Sequence, residues 1–522
     1  MKKNPLALTF DFGTQSLRVA LTNKSGEIVS IIKRKYEPAY VSEKKGYAEQ
    51  DPDFYVDQAK SALKELCKAN KDKLNDIIGA TVTCFRDTSV QLDENLKPLR
   101  KSILWLDQRM AIAKEKIPLT SWILFTLVGM KDTVKFNRSR TVAHWLKENE
   151  PQTWSKCYKY VSISCYITYC LTGNLVDSSA CVTGHYPIDF KHNCWYKEKA
   201  LKACIFGIPY RMLSDIKKPG EILGTIKDDV ADECGLPHGI ILYATGSDKA
   251  CETLGLGALN RDTAAISYGT ACTVEVSNQK YYEPETFLPA YPAAIQGWYN
   301  MDVQIYRGYW MLSWFAKNFA PELMDEAAAK KNVVEELLNS RMADVPPGSD
   351  GLVLQPYWGP GLARPLSKGS IIGFSDVHTR SHLYRAIIEG IAYGLREGLE
   401  SIERHQHHKV SSIRISGGGS KNDAICQITA DIFGLPVSRV QTNETSTLGA
   451  ATALFLSINE FSSVEEAINS MTHKCKTFEP NDLAHQQYEY LYKKVYLKMY
   501  PNLKKVYKDL NRYGKKYWLF IF

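Results

Sequence analysis

The chain contains 522 residues with a mass of 59.0 kDa, too long for one hydrophobic core, so roughly two to four domains are expected. Hydrophobic residues make up 44% and charged residues 23%, ordinary globular values that exclude a disordered or fibrous protein. The formal net charge is +8, and segment 488–522, with nine basic and two acidic residues, carries almost all of the excess. The near-neutral remainder argues against a nucleic-acid-binding protein.

The distribution of apolar residues and cysteines indicates the cellular compartment in which the protein is expected. The longest uncharged stretch, 160–176, spans 17 residues, short of the roughly 20 that cross a membrane. Asp11 interrupts the apolar run at the N-terminus, so no signal peptide is expected. The 13 cysteines are odd in number and form no CxxC pair, which is typical of reduced thiols. We therefore expect a cytoplasmic protein without membrane or nucleic-acid partners, and the sequence leaves a homodimer open.

The first half of the chain alternates short apolar runs with amphipathic segments. The apolar residues between 56 and 67 fall on one face of a helix. The alternation continues to about residue 257, so an α/β fold is predicted. Strands are predicted, in chain order, at 6–10, 17–21, 28–32, 77–84, 89–92 and 103–106.

A short internal repeat begins the second half. TAAISYGTACTVEV, from Thr263, has the layout of LALTFDFGTQSLRVAL, from Leu6: an apolar strand, a Gly-Thr turn and a second apolar strand. Two such hairpins, each opening half of the chain, indicate two similar domains that face each other. The second half is then predicted to contain a helix at 382–402, a strand at 412–416 and helices at 423–433 and 448–457.

The last segment, 486–522, is a basic tail in which Tyr alternates with Lys. The pattern favours a terminal helix with a basic outer face, and an RNA- or membrane-binding arm is the alternative. The residues expected to pack this helix on the body are Leu491, Val495, Leu503, Val506 and Leu510.

Two Gly-Thr turns have the composition of phosphate sites. In DFGTQSLR, from Asp11, glycine lets the backbone approach a ligand, and the donors after it suit anionic oxygens. Asp11 is placed to hold Mg²⁺ through water. The second turn, in SYGTACT, would grip the same polyphosphate from the facing domain. Each turn taken singly is equally well explained as a tight hairpin.

Three further motifs follow predicted strands. ISGGGSKND, from Ile415, is a glycine-rich turn before a helix, which suits an anion, and it matches neither a Walker A loop nor a Rossmann fingerprint. ATGSDKA places Asp248 between a strand and a helix, as a candidate catalytic base or only a helix N-cap. In FRDTS, Arg86 and Asp87 either bracket a polyol or pair with each other.

Taken together and in order, these motifs resemble the FGGY carbohydrate kinases, which phosphorylate sugars and polyols with ATP. The resemblance runs from about Leu6 to Leu454. Besides the motifs above it rests on GYAEQDPDFY, WLDQR, YCLTG, TGSDKACETLGLGAL, GFSDVHTRSHLYRAIIEGIAYGL and GGGSKNDAICQITADIFGLPV. It implies two ribonuclease-H-like domains of the actin and sugar-kinase superfamily around a central cleft. Residues 1–259 would bind the sugar and provide the first phosphate loop, residues 260–485 would bind the nucleotide, and 486–522 would form the basic helical tail.

The resemblance also implies roles for individual residues, with ATP and Mg²⁺ as cofactors. Asp248 matches the catalytic base and also contacts the acceptor, Arg86 and Asp87 lie at the acceptor pocket, and Asp11 corresponds to the Mg²⁺-water ligand. A carboxylate at a helix N-terminus is expected to stay ionised. The residues implied to bind ATP are Thr14, Gln15, Arg18, Gly269, Thr270, Gly418, Gly419 and Asn422.

The acceptor is left open among a ketose, a polyol and a sugar acid. FRDTS resembles the Arg-Glu-Thr element of glycerol kinases, whereas GGGSKNDAICQ and YAEQDP are more similar to xylulose and gluconate kinases. Lys249, next to the base, would either favour an anionic acceptor or point to solvent. The alternative function is a nucleotide-gated binding protein of the actin or chaperone type, or an ATPase without a sugar acceptor, because fold alone does not separate these.

Overall fold

The computed structural model describes residues 4–284, 288–330, 332–358, 364 and 366–517. Within that part of the chain, none of the helices is both long enough and apolar enough to cross a membrane.

The first half of the chain folds around strands that alternate with helices. The strands Leu6–Phe12 and Ile77–Cys84 are almost wholly buried. The first helix is capped by Asp51, whose side chain accepts from the Asp53 backbone N–H. Its elements are β1 (Leu6–Phe12), β2 (Ser16–Asn23), β3 (Ile28–Lys35), β4 (Glu49–Gln50), α1 (Pro52–Ala69), β5 (Ile77–Cys84), β6 (Ser89–Leu92), β7 (Ser102–Ile103), α2 (Leu119–Leu127), α3 (Lys131–Arg140), α4 (Val142–Asn149), α5 (Pro151–Lys156), β8 (Lys159–Ser162), α6 (Ile163–Thr172), β9 (Val176–Ser178), β10 (Ile188–Asp189), β11 (Cys194–Trp195), β12 (Asp215–Lys217), β13 (Ile222–Thr225), α7 (Asp228–Cys234), β14 (Ile241–Tyr243) and α8 (Asp248–Gly255).

The central sheet of this half has six strands in the order β13-β14-β5-β1-β2-β3. β1 and β2 form an antiparallel hairpin, while β5 and β14 run parallel to β1. The carboxyl ends of β1, β5 and β14 therefore meet at one edge of the sheet, where ligands bind in open α/β folds.

The second half repeats this plan with a longer helix behind the sheet. Its elements are β15 (Thr263–Tyr268), β16 (Cys272–Asn278), β17 (Tyr291–Pro292), β18 (Tyr299–Ile305), α9 (Trp310–Phe319), α10 (Pro321–Ala329), α11 (Val334–Met342), β19 (Val353–Gln355), β20 (Ser370–Ile372), α12 (Arg380–Gln406), β21 (Ser412–Gly417), α13 (Asp423–Phe433), β22 (Val437–Val440), α14 (Thr445–Ser457), α15 (Val464–Met471), β23 (Lys474–Phe478), α16 (Asp482–Leu491) and, after a π-helical turn at Tyr492–Tyr496, α17 (Leu497–Tyr517).

The second sheet has the order β17-β18-β16-β15-β21-β22-β23. Its β15–β16 hairpin is antiparallel, β18 is antiparallel to β16, and β21 and β22 continue parallel to β15. The first sheet shows the same order and directions around β1. The repeat predicted from the two hairpins is therefore confirmed as a shared topology.

Helices α8 and α14 join the two halves at a glycine contact. A Cβ added to Gly449 would lie 1.8 Å from the carbonyl oxygen of Cys251, and one added to Gly255 would lie 1.9 Å from that of Thr445. α14 also packs on the first sheet, where Leu448 and Leu454 share a buried cluster with Ala7. The backbones can approach this closely only because both positions lack a side chain.

The C-terminal segment is helical, but its packing differs from the prediction. Leu491, Val495 and Leu503 pack against the second domain's core, as predicted. Val506 and Leu510 are instead each 50% exposed, and buried tyrosines complete the contact. A tyrosine ring buries a large apolar area and its hydroxyl can still find a partner, as Tyr488 does by donating to Glu389. The buried tyrosines are Tyr488, Tyr492, Tyr496 and Tyr507. Residues 518–522 of the predicted tail lie outside the described residues.

Two predictions for the first half are wrong in detail. The predicted strand 103–106 is paired only at Ser102–Ile103, because the chain turns away there and Trp105 reaches the β1–β2 turn. The predicted alternation of strands and helices is also interrupted by four successive helices, α2 to α5. Among the described residues, none of these four helices has a side-chain hydrogen bond at its N-cap, so the usual capping signal for a helix start is missing.

Candidate active site

A cavity of ≈ 1890 Å³ opens between the edges of the two sheets. Both halves contribute to its walls because the carboxyl ends of β1, β5 and β14 face the equivalent ends of β15 and β21. The predicted residues that line it are Thr14, Gln15, Arg18, Arg86, Asp87, Asp248, Gly269, Thr270, Gly418, Gly419 and Asn422.

Asp11 lies near the end of β1 and does not itself line the cavity, although Arg18 and Asp248, which do, act on its carboxyl. Its side chain is buried, and its Oδ2 accepts a hydrogen bond of 2.9 Å from the hydroxyl of Thr447 on α14. Burial raises the pKa of the Asp11 carboxyl to about 6, although Arg18 acts in the opposite direction. Its Oδ1 receives no hydrogen bond from the described residues.

The first Gly-Thr turn is held from both halves of the chain. The Trp105 indole N–H donates to Thr14 Oγ1 at 2.9 Å, which fixes the hydroxyl at the cavity wall. Arg18 Nε pairs with Glu444, just before α14, at 2.9 Å. Lys33 Nζ also forms an ion pair with Glu444 Oε1 at 2.6 Å, so this carboxylate binds two cations.

The second Gly-Thr turn and the glycine-rich turn lie on the opposite wall. The carbonyl of Gly269 accepts from the Tyr309 backbone N–H at 3.1 Å, which ties the β15–β16 turn to the start of α9. A Cβ on Gly419 would lie 1.9 Å from the Tyr309 ring, so only glycine fits there. Asn422 caps α13, because its side chain accepts from the Ile425 N–H at 3.2 Å.

Asp248 is the first residue of α8 and is not its N-cap. Ser247 has that position, with a side chain that accepts from the Ala250 N–H, so the N-cap alternative for Asp248 is wrong. Burial raises the pKa of Asp248, and the neighbouring charges of Lys249 and Arg86 only partly offset it. The expectation that the helix N-terminus keeps this carboxylate fully ionised therefore misses the larger effect, which is desolvation.

Lys249 does not point to solvent. Its Nζ donates to Glu252 at 2.6 Å and to the Ser267 hydroxyl at 2.8 Å. The hydroxyls of Ser267 and Ser416 also donate to Glu252. The ammonium is thus compensated by a carboxylate one turn along its own helix.

Arg86 forms an ion pair with a residue that no motif indicated. Its Nη2 lies 2.9 Å from Oδ2 of Asp302 on β18, and the Tyr291 ring lies 5.1 Å from the guanidinium. Burial alone lowers the pKa of Arg86, but Asp302 together with Tyr291, Glu275 and Asp248 more than offsets this, and the pKa is raised. Arg86 therefore stays charged.

Asp87 pairs with His185, so the alternative of an Arg86–Asp87 pair is wrong. His185 approaches Asp87 Oδ2 through Nδ1 at 2.8 Å and donates its backbone N–H to Oδ1 at 3.0 Å. Burial raises the pKa of Asp87, but His185 and Arg140 together hold it below its usual value.

Asp302, His185, Thr447 and Glu444 are site residues that the sequence did not reveal. All four reach the cavity region from elements far from the motif they contact, and Thr447 and Glu444 lie 436 and 426 residues from their partners. The sequence did indicate Trp105, because it belongs to WLDQR, one of the motifs on which the resemblance rests.

Family models match most of the chain. The model "FGGY family of carbohydrate kinases, N-terminal domain" matches residues 6–255, and its C-terminal counterpart matches residues 264–458. The chain therefore belongs to the FGGY family of carbohydrate kinases. It is an enzyme that transfers phosphoryl groups to alcohol groups of sugars, which argues against a nucleotide-gated binding protein on the same fold.

Curated relatives align over nearly the whole chain. The "Xylulose kinase" of Lactococcus lactis is 28% identical over 96% of this chain and 97% of its own length. "Glycerol kinase 2" of Thermotoga maritima is 26% identical over 93% of this chain and 96% of its own. A sugar kinase of Escherichia coli, YgcE, is 26% identical over 93% of this chain and 91% of its own.

Solved structures share the fold. The ligand-bound xylulose kinase from Lactobacillus acidophilus superposes with a TM-score of 0.81 at 21% identity, over 97% of this chain and all of that one. The Plasmodium falciparum glycerol kinase with ADP superposes with a TM-score of 0.73 at 20% identity, over 95% of this chain and 98% of that one. The two-domain α/β fold of the actin and sugar-kinase superfamily, predicted from the resemblance, is confirmed.

Proposed function

We propose that this kinase transfers the γ-phosphoryl group of ATP to a hydroxyl of a small sugar or polyol, with Asp248 as the general base. The observation that carries the proposal is that Asp248 lines the same cavity as both Gly-Thr turns and the glycine-rich turn. Phosphoryl transfer depends on positioning and charge stabilisation, which such a constellation supplies.

The nucleotide would lie along the turns. Thr14 and Gln15 on one wall and Gly269 and Thr270 on the other are placed to hold the triphosphate, and Gly418, Gly419 and Asn422 would hold the adenosine end. Arg18 uses only Nε for Glu444 among the described residues, which leaves its Nη nitrogens for a phosphate. Residues 1–259 would thus provide the acceptor site and the first phosphate turn, and residues 260–485 the rest of the nucleotide site.

The residues around Asp11 suit a magnesium ion held through water. One carboxylate oxygen is fixed by Thr447 and the other receives no hydrogen bond from the described residues. Mg²⁺ keeps several waters and needs few protein ligands, which fits a single buried carboxylate better than a cage of ligands. When bound, the ion would neutralise charge on the phosphates.

Asp248 would accept the proton of the attacking hydroxyl. Because burial raises its pKa, its carboxylate is a stronger base than an exposed aspartate. Arg86 and Asp87, in the same wall, would orient the acceptor. Closure of the halves around it would exclude water and limit wasteful hydrolysis of ATP.

A coupled assay of ADP release over a panel of ketoses, polyols and sugar acids tests this function. We expect ADP release that depends on one acceptor class and that falls about 100-fold or more in Asp248→Asn, with ATP affinity changed only a few-fold. Asp229→Asn is the matched control: Asp229 also lies in the first turn of a helix and accepts from the next N–H at 2.8 Å, but it is exposed.

The outcomes separate the alternatives. ADP release that no acceptor stimulates would indicate an ATPase and overturn the proposed function. Loss of ATP binding in Asp248→Asn would place this carboxylate in a structural or metal-binding role instead.

A further inference from the structure

Arg86 is fixed in the cavity by a residue from the opposite half of the chain. Its Nη2 is bound to Asp302, whose side chain is only 5% exposed, and the Tyr291 ring lies against the guanidinium. Asp302 lies on β18 and Tyr291 on β17, both in the second sheet, whereas Arg86 follows β5 of the first sheet. The guanidinium is therefore in place only when the two halves are together.

The remaining N–H groups of Arg86 are available to a ligand. Within the described residues, Arg86 makes no hydrogen bond other than that to Asp302, and its side chain lines the cavity. It lies close enough to Asp248 to lower the pKa of that carboxyl. A hydroxyl bound between the two would receive an N–H from Arg86 while facing the base.

The cations near Asp248 each face a carboxylate. Asp302 compensates Arg86, Glu252 compensates Lys249, and Asp87 faces His185 and Arg140. Among the described residues, the two cations that act on Asp248, Arg86 and Lys249, are therefore already compensated, and the carboxylate of Asp248 itself would repel an anionic acceptor.

We propose, on the basis of the proposed function, that Asp302 is a positioning residue of the acceptor site: it holds Arg86 across the cleft and balances its charge, so that the site selects a neutral polyhydroxylated acceptor over a sugar acid. Asp302 is buried and paired within the β16–β18 ladder, so its carboxylate has a defined position toward Arg86. Asp302 acts through Arg86 and does not itself take part in the reaction.

Steady-state kinetics of the full-length protein with neutral acceptors and sugar acids tests the inference. The wild-type protein should use a neutral acceptor. In Asp302→Asn, the ratio of kcat/KM for a sugar acid to that for the neutral acceptor should rise about 10-fold or more, because Arg86 is no longer compensated. KM for ATP should stay within about twofold. Asp302→Glu, which keeps the carboxylate, should keep the neutral preference, and Asp215→Asn, an exposed carboxylate on β12, serves as the control.

Asp302→Asn leaves the Arg86 cation buried without a partner and could therefore destabilise the fold. A double variant tests the inference without an unpaired charge. Arg86→Gln with Asp302→Asn removes both charges. Because Asp302 acts through Arg86, adding Asp302→Asn to Arg86→Gln should change KM for the acceptor less than about twofold. A further large loss in the double variant would overturn the inference.

The remaining outcomes are distinct. Wild-type preference for a sugar acid, or wild-type use of a neutral acceptor with an unchanged ratio in Asp302→Asn, overturns this inference alone. Absence of any acceptor-dependent ADP release by the wild-type protein overturns the proposed function and this inference with it.

Discussion

Thr447 donates its hydroxyl to the carboxylate of Asp11 at 2.9 Å, although the two residues are 436 positions apart. Asp11 ends the first strand of one sheet and Thr447 lies in the first turn of α14, which packs on that strand from the other half of the chain. The candidate magnesium ligand is thus oriented by a helix that belongs, in sequence, to the nucleotide-binding half.

Removal of this hydroxyl should weaken the response to magnesium. Thr447→Val keeps the shape of the side chain but leaves Asp11 without the donor that orients it. We expect the Mg²⁺ concentration for half-maximal ADP release to rise about 10-fold, the usual effect of losing a group that supports a metal ligand.

The matched control is Thr452→Val. Thr452 is also buried on α14, but its hydroxyl donates to the Leu448 carbonyl of its own helix at 2.8 Å. Its Mg²⁺ titration should resemble that of the wild-type protein. Coincident titrations for Thr447→Val and the wild-type protein would argue against Asp11 as the ligand.

A methyl group at Gly449 should destabilise the contact between the halves. In Gly449→Ala, the new Cβ would lie 1.8 Å from the Cys251 carbonyl oxygen, and backbone atoms cannot move aside as a flexible side chain can. Overpacking of this kind costs about 1–3 kcal/mol, so the thermal unfolding midpoint should fall by several degrees. Gly418→Ala is the control, because its nearest neighbour, the Tyr268 carbonyl oxygen, lies 4.0 Å away. Equal midpoints for the two variants would contradict the contact.

The central hairpins of the two sheets are predictable because their strands carry local patterns, whereas β17, β18, β22 and β23 of the second sheet are not among the predicted strands. The hairpins at β1–β2 and β15–β16 are buried apolar runs around Gly-Thr turns, and both were recognised from the sequence alone. The ion pairs of the site were not predictable. Arg86 and Asp302 are 216 residues apart, and nothing near Asp302 distinguishes it from a strand residue that faces solvent. The tail helix was recognised, but the packing of its tyrosines depends on where the hydroxyls find partners.

Glu275 should make stability depend on pH. Burial and the charge of Asp302 raise the pKa of Glu275 to about 8 in the folded protein, against an ordinary value of 4.5. Because the folded state then holds the proton more tightly than the unfolded state, this contribution is fully present below pH 4.5 and is lost as the pH rises through about 8. The free energy of unfolding should therefore fall by up to about 1.4 kcal/mol per pH unit across this window.

Urea unfolding of the wild-type protein and of Glu275→Gln between pH 5 and about pH 8 measures this effect. The Gln variant cannot titrate at this position, so its free energy of unfolding should depend less on pH. Glu94→Gln, an exposed position, should follow the wild-type curve. Parallel curves for Glu275→Gln and the wild-type protein would mean that Glu275 is ionised in the folded state.

Binding of both substrates should draw the two halves together. Thr14 and Thr270 stand on opposite walls of the cavity, so a triphosphate held by both turns contacts both halves at once. The connection between the halves at 258–262 would act as the hinge, and an acceptor held by Arg86 adds contacts that strengthen closure. Small-angle scattering should show a smaller radius of gyration with acceptor plus a non-hydrolysable ATP analogue than with either ligand alone or with none. A radius that is the same in all four states would mean that the cleft is already closed, and the hinge assignment would then be wrong.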